Sequence, residues 1–395
     1  MRFTLADVAY LSSDAGAAAL ADVAEFGFTD ASRLADVTAT RDRYGDRSAV
    51  LVETTLLQRR ASEKLAGLAD PRGGRGWLFT DEALQQATTA AVARHRARRL
   101  GKQVVHDATC SIGTELAALL STAADVLGSD IDAVRLAMAR HNLDDRVPLC
   151  RADALRPVSR DAVVLLDPAR RADGRRRFGP RAYLPPLDQL LEAYRGRESA
   201  VKCAPGIDFE AVRRLGFQGE IEITSVAGSV REACLWSVGL AQPGVQRRAT
   251  VLTDARSDGE TLTDLDPGDC AAGTPGRWII DPDGAIVRAG LVRQYADRHK
   301  LWQLDPDIAY LTGDALPGGV RGFEVIEELS LRESVLRQRL SHHDCGSLEI
   351  RVRGVDLDPD TLRRRLRPTG SQPLTLVITR IGRGAKARVT VFVCR

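Results

Sequence analysis

The segment VVLLDPARR at residues 163–171 is an apolar run that stops at Asp167, turns on Pro168 and passes through Ala169 to Arg170 and Arg171. A strand ending this way delivers one acid to the space beyond the sheet, where open α/β folds bind their ligands. Three other aspartates stand at comparable places: Asp107 after VVH, Asp130 after DVLGS and Asp153 after LCRA. Any one of them alone reads as a cap or turn residue. Four in succession, with Asp130 lying 23 residues after Asp107, match the way a nucleoside-binding sheet meets ribose hydroxyls and an exocyclic amine. In the loop ATCSIG after Asp107, the small Thr109, Ser111 and Gly113 let a ligand approach the backbone. The loop holds one glycine, not the three of a pyrophosphate-binding GxGxxG turn, which argues against a nicotinamide enzyme.

The elements that position these residues follow from the texture of the chain. Residues 1–100 are alanine-rich with apolar residues at helical spacing, and Thr80 before DEAL reads as a helix N-cap. From Gln103 short apolar strands alternate with helices, which predicts a doubly wound α/β sheet; Asp132 reads as the cap of the helix after Asp130. After Pro243, RRATVLTD and RWIIDPDGAIVRAGLV read as strands and a turn. The last stretch reads as a strand (GSLEIRVRGV), a helix (DPDTLRRRLRP) and two antiparallel strands joined by RGAK, a small α+β module. The expected division is a helical domain at 1–95, an α/β domain at 96–242, a β-rich connection at 243–324 and the α+β module at 325–395.

The run DATCSIG, SDID, RADAL, LLDPAR resembles the class I S-adenosylmethionine-dependent methyltransferases. The resemblance implies a Rossmann-like sheet and S-adenosylmethionine as cofactor. It places Asp107, Thr109, Ser111 and Gly113 around the methionine moiety, Asp130 on the ribose with Ile131 packed on the adenine, and Asp153 and Ala154 at the adenine edge. Thr109 and Ser111 stand where many members have glycine. The C-terminal module resembles the THUMP-like domain attached to a bacterial group of these enzymes, and KCAPGID and SVAGSVREACLW are similar to the same group. FTDEALQQATT is similar to the element before the cofactor motif in that group and in trimethylguanosine synthases. THUMP domains bind RNA, usually tRNA, so RNA is the implied partner.

In amine-methylating members an Asp, Asn or Ser followed by two prolines and an aromatic lies beside the methyl donor. The polar side chain and a proline carbonyl accept hydrogen bonds from the target amine and aim its lone pair. Asp167 and Pro168 keep this pattern, while Ala169 and Arg170 replace the second proline and the aromatic. The implied catalytic residues are Asp167, Pro168 and Arg170, with the arginine plane as the substitute stacking surface and a nucleobase nitrogen of tRNA or rRNA as acceptor. A rival stays open at KCAPG: enzymes that methylate uracil carbon use a cysteine in a Cys-x-Pro setting. Cys203 would then be a nucleophile, activated by Lys202 or Arg170. Burial is the commoner fate of such a cysteine.

Arg171, Arg175, Arg176 and Arg177, with Phe178 and Tyr183 nearby, suit a single-stranded or looped RNA. From Leu331 to Arg395 thirteen arginines and one lysine face six acids, although the whole chain carries only +3. Such an asymmetry is the footprint of a nucleic-acid partner, and equally of a solvated basic face. Seven cysteines form no CxxC pair and six histidines no ligand spacing, so neither a metal site nor a disulfide framework is expected. No apolar stretch reaches the roughly 20 residues that span a bilayer. The N-terminal stretch has early acids and no signal-peptide core, which predicts a cytoplasmic protein. Two functions of other classes stay open. One is an RNA-binding protein whose cofactor site has decayed at Thr109 and Ser111; the other is a small-molecule methyltransferase with no need of the basic module.

Overall fold

The computed structural model describes residues 2–68, 76–170, 179, 182–253, 259–318, 320–384 and 387–395. The chain forms two compact units, Met1–Gln246 with Thr250–Glu260, and Arg247–Ala249 with Thr261–Arg395.

The first unit opens with helices α1 (Leu5–Ser12), α2 (Asp14–Ala24), α3 (Arg33–Tyr44) and α4 (Ser48–Lys64). Local chemistry sets their starts. Thr4 accepts from the Asp7 N–H while the Asp7 carboxylate accepts from the Thr4 N–H, and Ser13 caps α2. Helices α5 (Asp81–Gln86) and α6 (Ala90–Leu100) follow; the Ala83 N–H donates to Thr80 at 3.0 Å, the cap expected from the sequence.

Seven of the nine strands of the larger sheet are β1 (Val104–Asp107), β2 (Asp125–Asp130), β3 (Leu149–Arg151), β4 (Val163–Leu166), β7 (Ser199–Cys203), β8 (Glu220–Val226) and β9 (Ser229–Trp236). Between β4 and β7 a two-strand ribbon pairs β5 (Ala169–Arg170) with β6 (Tyr183–Leu184). The seven strands lie in the order β8-β9-β7-β4-β1-β2-β3. Pairing is parallel from β7 through β3, and antiparallel where β9 meets β7 and β8. Helices α7 (Thr114–Leu119) and α8 (Ala133–Leu143) follow β1 and β2. Because β1 lies between β2 and β4, its neighbours depart to opposite sides, and this reversal opens a crevice beyond the carboxyl ends of β1 and β4. The central strand β4 is apolar and buried throughout, Val163–Leu166, as expected of a parallel strand covered on both faces.

Strand β8 breaks that rule. In β8, Glu220, Glu222 and Thr224 alternate with isoleucines yet are all buried. Alternation of this kind normally turns the polar side to water. Here α6 supplies the partners instead: Arg99 lies 2.6 Å from Glu220 and 2.9 Å from Glu222, and His95 lies 2.8 Å from Glu222. The Arg99 guanidinium also stands 4.1 Å over the Trp236 ring.

In the second unit Gly322–Ser330 pairs antiparallel with Arg388–Cys394, which pairs antiparallel with Gln372–Ile381. Cys345–Arg353 is parallel to Gln372–Ile381, and the crossover between them is the helix Pro359–Leu366. Asp358 caps that helix and proline occupies its first position. Leu362 and Leu366, four apart, are buried, which leaves Arg364, Arg365 and Arg367 exposed. The strand reading of DPDGAIVRAG is corrected: Gly284–Ala289 is a helix. Asp283 caps it by accepting from Ala285 at 2.7 Å, and Gly290 ends it at φ +71°, so DPDG is a helix start rather than a hairpin turn.

Candidate active site

Beyond β1, β2 and β4 lies a cavity of about 670 Å³, within the usual range for a bound organic ligand. Asp107, Thr109, Ser111, Asp130, Ile131, Asp153, Ala154 and Asp167 all line it, so the acids at four strand ends do converge. Gly113 is not in the lining. It begins α7 at φ +86°, and a Cβ there would come within 2.9 Å of Leu143, so its place is one of close helix packing.

Backbone hydrogen bonds lock the acids. The Ser111 N–H donates to Asp130 Oδ2 and the Asp132 N–H to Asp130 Oδ1, both at 2.9 Å. Asp132 itself caps α8, as expected. The Leu155 N–H donates to Asp153 at 2.9 Å. Ile131 keeps 62% of its surface exposed at the cavity, an apolar platform between two carboxylates. Asp107 is buried, and burial, then the nearby Glu115, hold its carboxyl well above the ordinary range despite the 3.1 Å hydrogen bond from the Thr109 N–H. The Thr109 hydroxyl accepts from the Asp167 N–H at 2.6 Å. It thus ties the β1 loop to the end of β4.

A second cavity, of about 480 Å³, adjoins the first, and Gln86, Ala87, Thr88, Asp167 and Ala169 border both. Pro168 lines the second. Sequence reasoning overlooked the group that fixes Asp167. Lys202 Nζ donates to Asp167 Oδ2 at 2.6 Å, to Thr88 Oγ1 at 2.9 Å and to the Gln86 carbonyl at 3.3 Å. Burial opposes its charge, but Asp167, Glu232 and Glu115 outweigh burial and raise its pKa. Beneath it Arg96 is almost wholly buried and donates to both Glu115 and Glu232.

The structure bears on two readings of nearby residues. Cys203 is buried and its thiol is pushed well above the ordinary value by burial and by Cys234, while the Lys202 ammonium is spent on Asp167. The carbon-methylation reading therefore lacks its thiolate. Tyr183 is buried and accepts from the Ala204 N–H at 2.8 Å, so it offers no stacking face to RNA. The Arg170 backbone pairs with Tyr183. Its side chain, and the expected RNA contacts Arg171, Arg175, Arg176 and Arg177, lie outside the described residues. Among the described residues no helix is long and apolar enough to cross a membrane, and no His, Cys, Asp and Glu side chains group as a metal site would require.

Residues 320–395 match the family described as THUMP domain-like. Two chains from strains of Mycobacterium tuberculosis, each described as an uncharacterized S-adenosylmethionine-dependent methyltransferase, are 63% identical over 358 residues, 90% of this chain and 99% of theirs. A crystal structure of a presumed methyltransferase from Porphyromonas gingivalis superposes with a TM-score of 0.75 at 19% identity, covering 100% of this chain and 99% of that one. The chain therefore belongs to the class I S-adenosylmethionine-dependent methyltransferases and carries a THUMP-like domain at its C-terminus.

Proposed function

We propose that this enzyme methylates a nitrogen of an RNA nucleobase in tRNA or rRNA, a cytoplasmic modification. The position of Asp167 carries the reading: it stands on the wall shared by the two cavities, one fitted to the cofactor and one open for an acceptor. S-Adenosylmethionine supplies an electrophilic methyl group. The chain's own residues fit its other parts. Asp107 suits the ammonium of the methionine end, Asp130 the ribose hydroxyls, Ile131 the flat adenine, and Asp153 with Ala154 the adenine edge. Lys202 takes only Oδ2 of Asp167, and Oδ1 receives no hydrogen bond from a described residue. That oxygen and the Pro168 carbonyl can accept from an amine and hold its lone pair in line.

RNA is favoured over a small acceptor by the exposed Arg364, Arg365 and Arg367, which border one shallow depression with Arg337. Arg171, Arg175, Arg176 and Arg177 are proposed as further RNA contacts. Mass spectrometry of tRNA and rRNA nucleosides from a deletion strain should show one methylated base missing; an unchanged profile would defeat the reading. RNA binding should weaken with salt, and replacing Arg364, Arg365 and Arg367 by Ala together should lower the slope of log K against log salt by about 2–3, if each arginine neutralises one phosphate. A slope equal to that of the native chain would remove this helix from the RNA surface.

Asp107 gives a separate check. Burial raises the pKa of its carboxyl and a bound ammonium would favour the charged form, so whatever fraction is protonated in the free protein should lose its proton when the cofactor binds. Calorimetry should give binding enthalpies that differ between buffers of low and high ionisation enthalpy. Asp107→Asn should abolish that difference and weaken binding roughly 10- to 100-fold, the scale of a hydrogen bond to a charged group. Equal enthalpies in both buffers would count against the assignment.

A further inference from the structure

The charges around the second cavity do not cancel. It is bordered by the cations Lys64, Lys202 and Arg231 and by the acids Asp167 and Glu232. Both acids are already paired, Asp167 with Lys202 and Glu232 with Arg96. The three donors of Lys202 meet three acceptors, so that cation is spent. Lys64 and Arg231 remain. Lys64, the last residue of α4, donates to the neutral carbonyls of Leu84 at 2.6 Å and Gln85 at 2.9 Å, which leaves one N–H. Neither Lys64 nor Arg231 has a carboxylate partner among the described residues. Burial, then Lys202 and Arg231, push the Lys64 ammonium down to about 8.

Two uncompensated cations beside the methyl-transfer wall call for an anion. They come from separate elements, the end of α4 and the body of β9, so an anion between them would be gripped from two sides. We infer that the second cavity holds an oxyanion of the methyl acceptor, a phosphate of the target nucleotide, between Lys64 and Arg231. Its identity as phosphate rests on the nucleobase reading above; the need for an anion rests on the charges alone. A base whose phosphate docks here lies beside Gln86, Ala87, Thr88 and Asp167, which border both cavities. An acceptor lacking the phosphate should then be methylated poorly, because the charge that orients it is missing.

The probe is inorganic phosphate, titrated into the full-length protein saturated with S-adenosylhomocysteine and followed by calorimetry. Phosphate should bind at millimolar concentration or tighter. Lys64→Gln and Arg231→Gln should each weaken it at least tenfold and leave S-adenosylhomocysteine affinity within twofold. Lys64→Arg should keep phosphate binding, which separates lost charge from a disturbed helix end. Acetate binding in place of phosphate would overturn the phosphate assignment, as would phosphate that fails to bind or binds both glutamine variants equally. If RNA is methylated normally by both glutamine variants, the anion pocket fails and the nucleobase reading stands. If phosphate binding depends on both cations but no RNA is methylated, the pocket stands and the nucleobase reading fails.

Discussion

Asp167→Ala is expected to lower kcat for methyl transfer about 100- to 1,000-fold, the usual loss when one polar group that meets the reacting centre is removed. S-Adenosylmethionine affinity should change little, because the cofactor's polar ends are assigned to Asp107, Asp130 and Asp153. The loss belongs in kcat because the carboxylate is assigned to hold the amine's lone pair on the methyl group, an interaction completed during transfer. Asp167→Asn makes a sharper case. Asparagine occurs at this position in the family pattern, so a simple view expects it to be tolerated. Here Lys202 occupies one oxygen at 2.6 Å. The amide must turn its oxygen to that ammonium and present its NH₂ to the acceptor amine, donor against donor. Asp167→Asn should therefore be almost as slow as Asp167→Ala, and combining it with Lys202→Met should recover part of the rate. Non-additivity of this kind identifies neighbours that act as a unit. A kcat for Asp167→Ala within threefold of native, measured with saturating cofactor, would remove Asp167 from the chemistry.

The strand-end acids were legible because their signal is local. Each follows an apolar run, and a parallel sheet turns such positions toward the ligand crevice whatever the rest of the chain does. The caps at Thr80 and Asp132 were legible for the same reason. What escaped depends on partners far apart in sequence. The Thr109 hydroxyl meets the Asp167 N–H across 58 residues, and Arg96 meets Glu232 across 136. No spacing rule marks such a pair. In the sequence Lys202 stands out only as a neighbour of Cys203, while its partner Asp167 lies 35 residues upstream. The burial of the β8 acids has no local signal either: alternation marks a solvated face only when nothing covers it, and the basic side of α6 covers this one. Gly284–Ala289 failed because six residues are too few for a helical period to outweigh a DPDG that reads as a turn.

Arg96→Met is expected to destabilise the first unit by about 3–5 kcal/mol, the cost of stranding buried charge once its partner is gone. For a unit of this size that corresponds to a fall in Tm of roughly 6–20 °C. The size follows from position: Arg96 is buried between Glu115 and Glu232, and methionine fills the space without answering either carboxylate. The pH dependence separates this cause from poor packing. In the native chain burial opposes the Glu115 charge, but Arg96 and Lys202 outweigh it and hold that carboxyl below the usual range. A depressed native pKa adds stability above the unfolded-chain value and loses it as pH falls through the native value. Glu232 is raised by burial despite Arg96, so its contribution has the opposite sign, present at low pH and lost as pH rises. Without the guanidinium both carboxyls rise, and both then oppose folding above the unfolded-chain value of about 4.3. The gap between native and Arg96→Met should thus be widest near pH 8 and narrow toward pH 5.5, by up to about 1.4 kcal/mol per pH unit for each carboxyl that is protonated only in the folded variant. Adding Glu115→Gln and Glu232→Gln should return much of the lost stability at pH 8. Urea denaturation at the two pH values decides the matter: a gap that stays constant or widens on acidification would show that Arg96 acts through its volume and not through its charge.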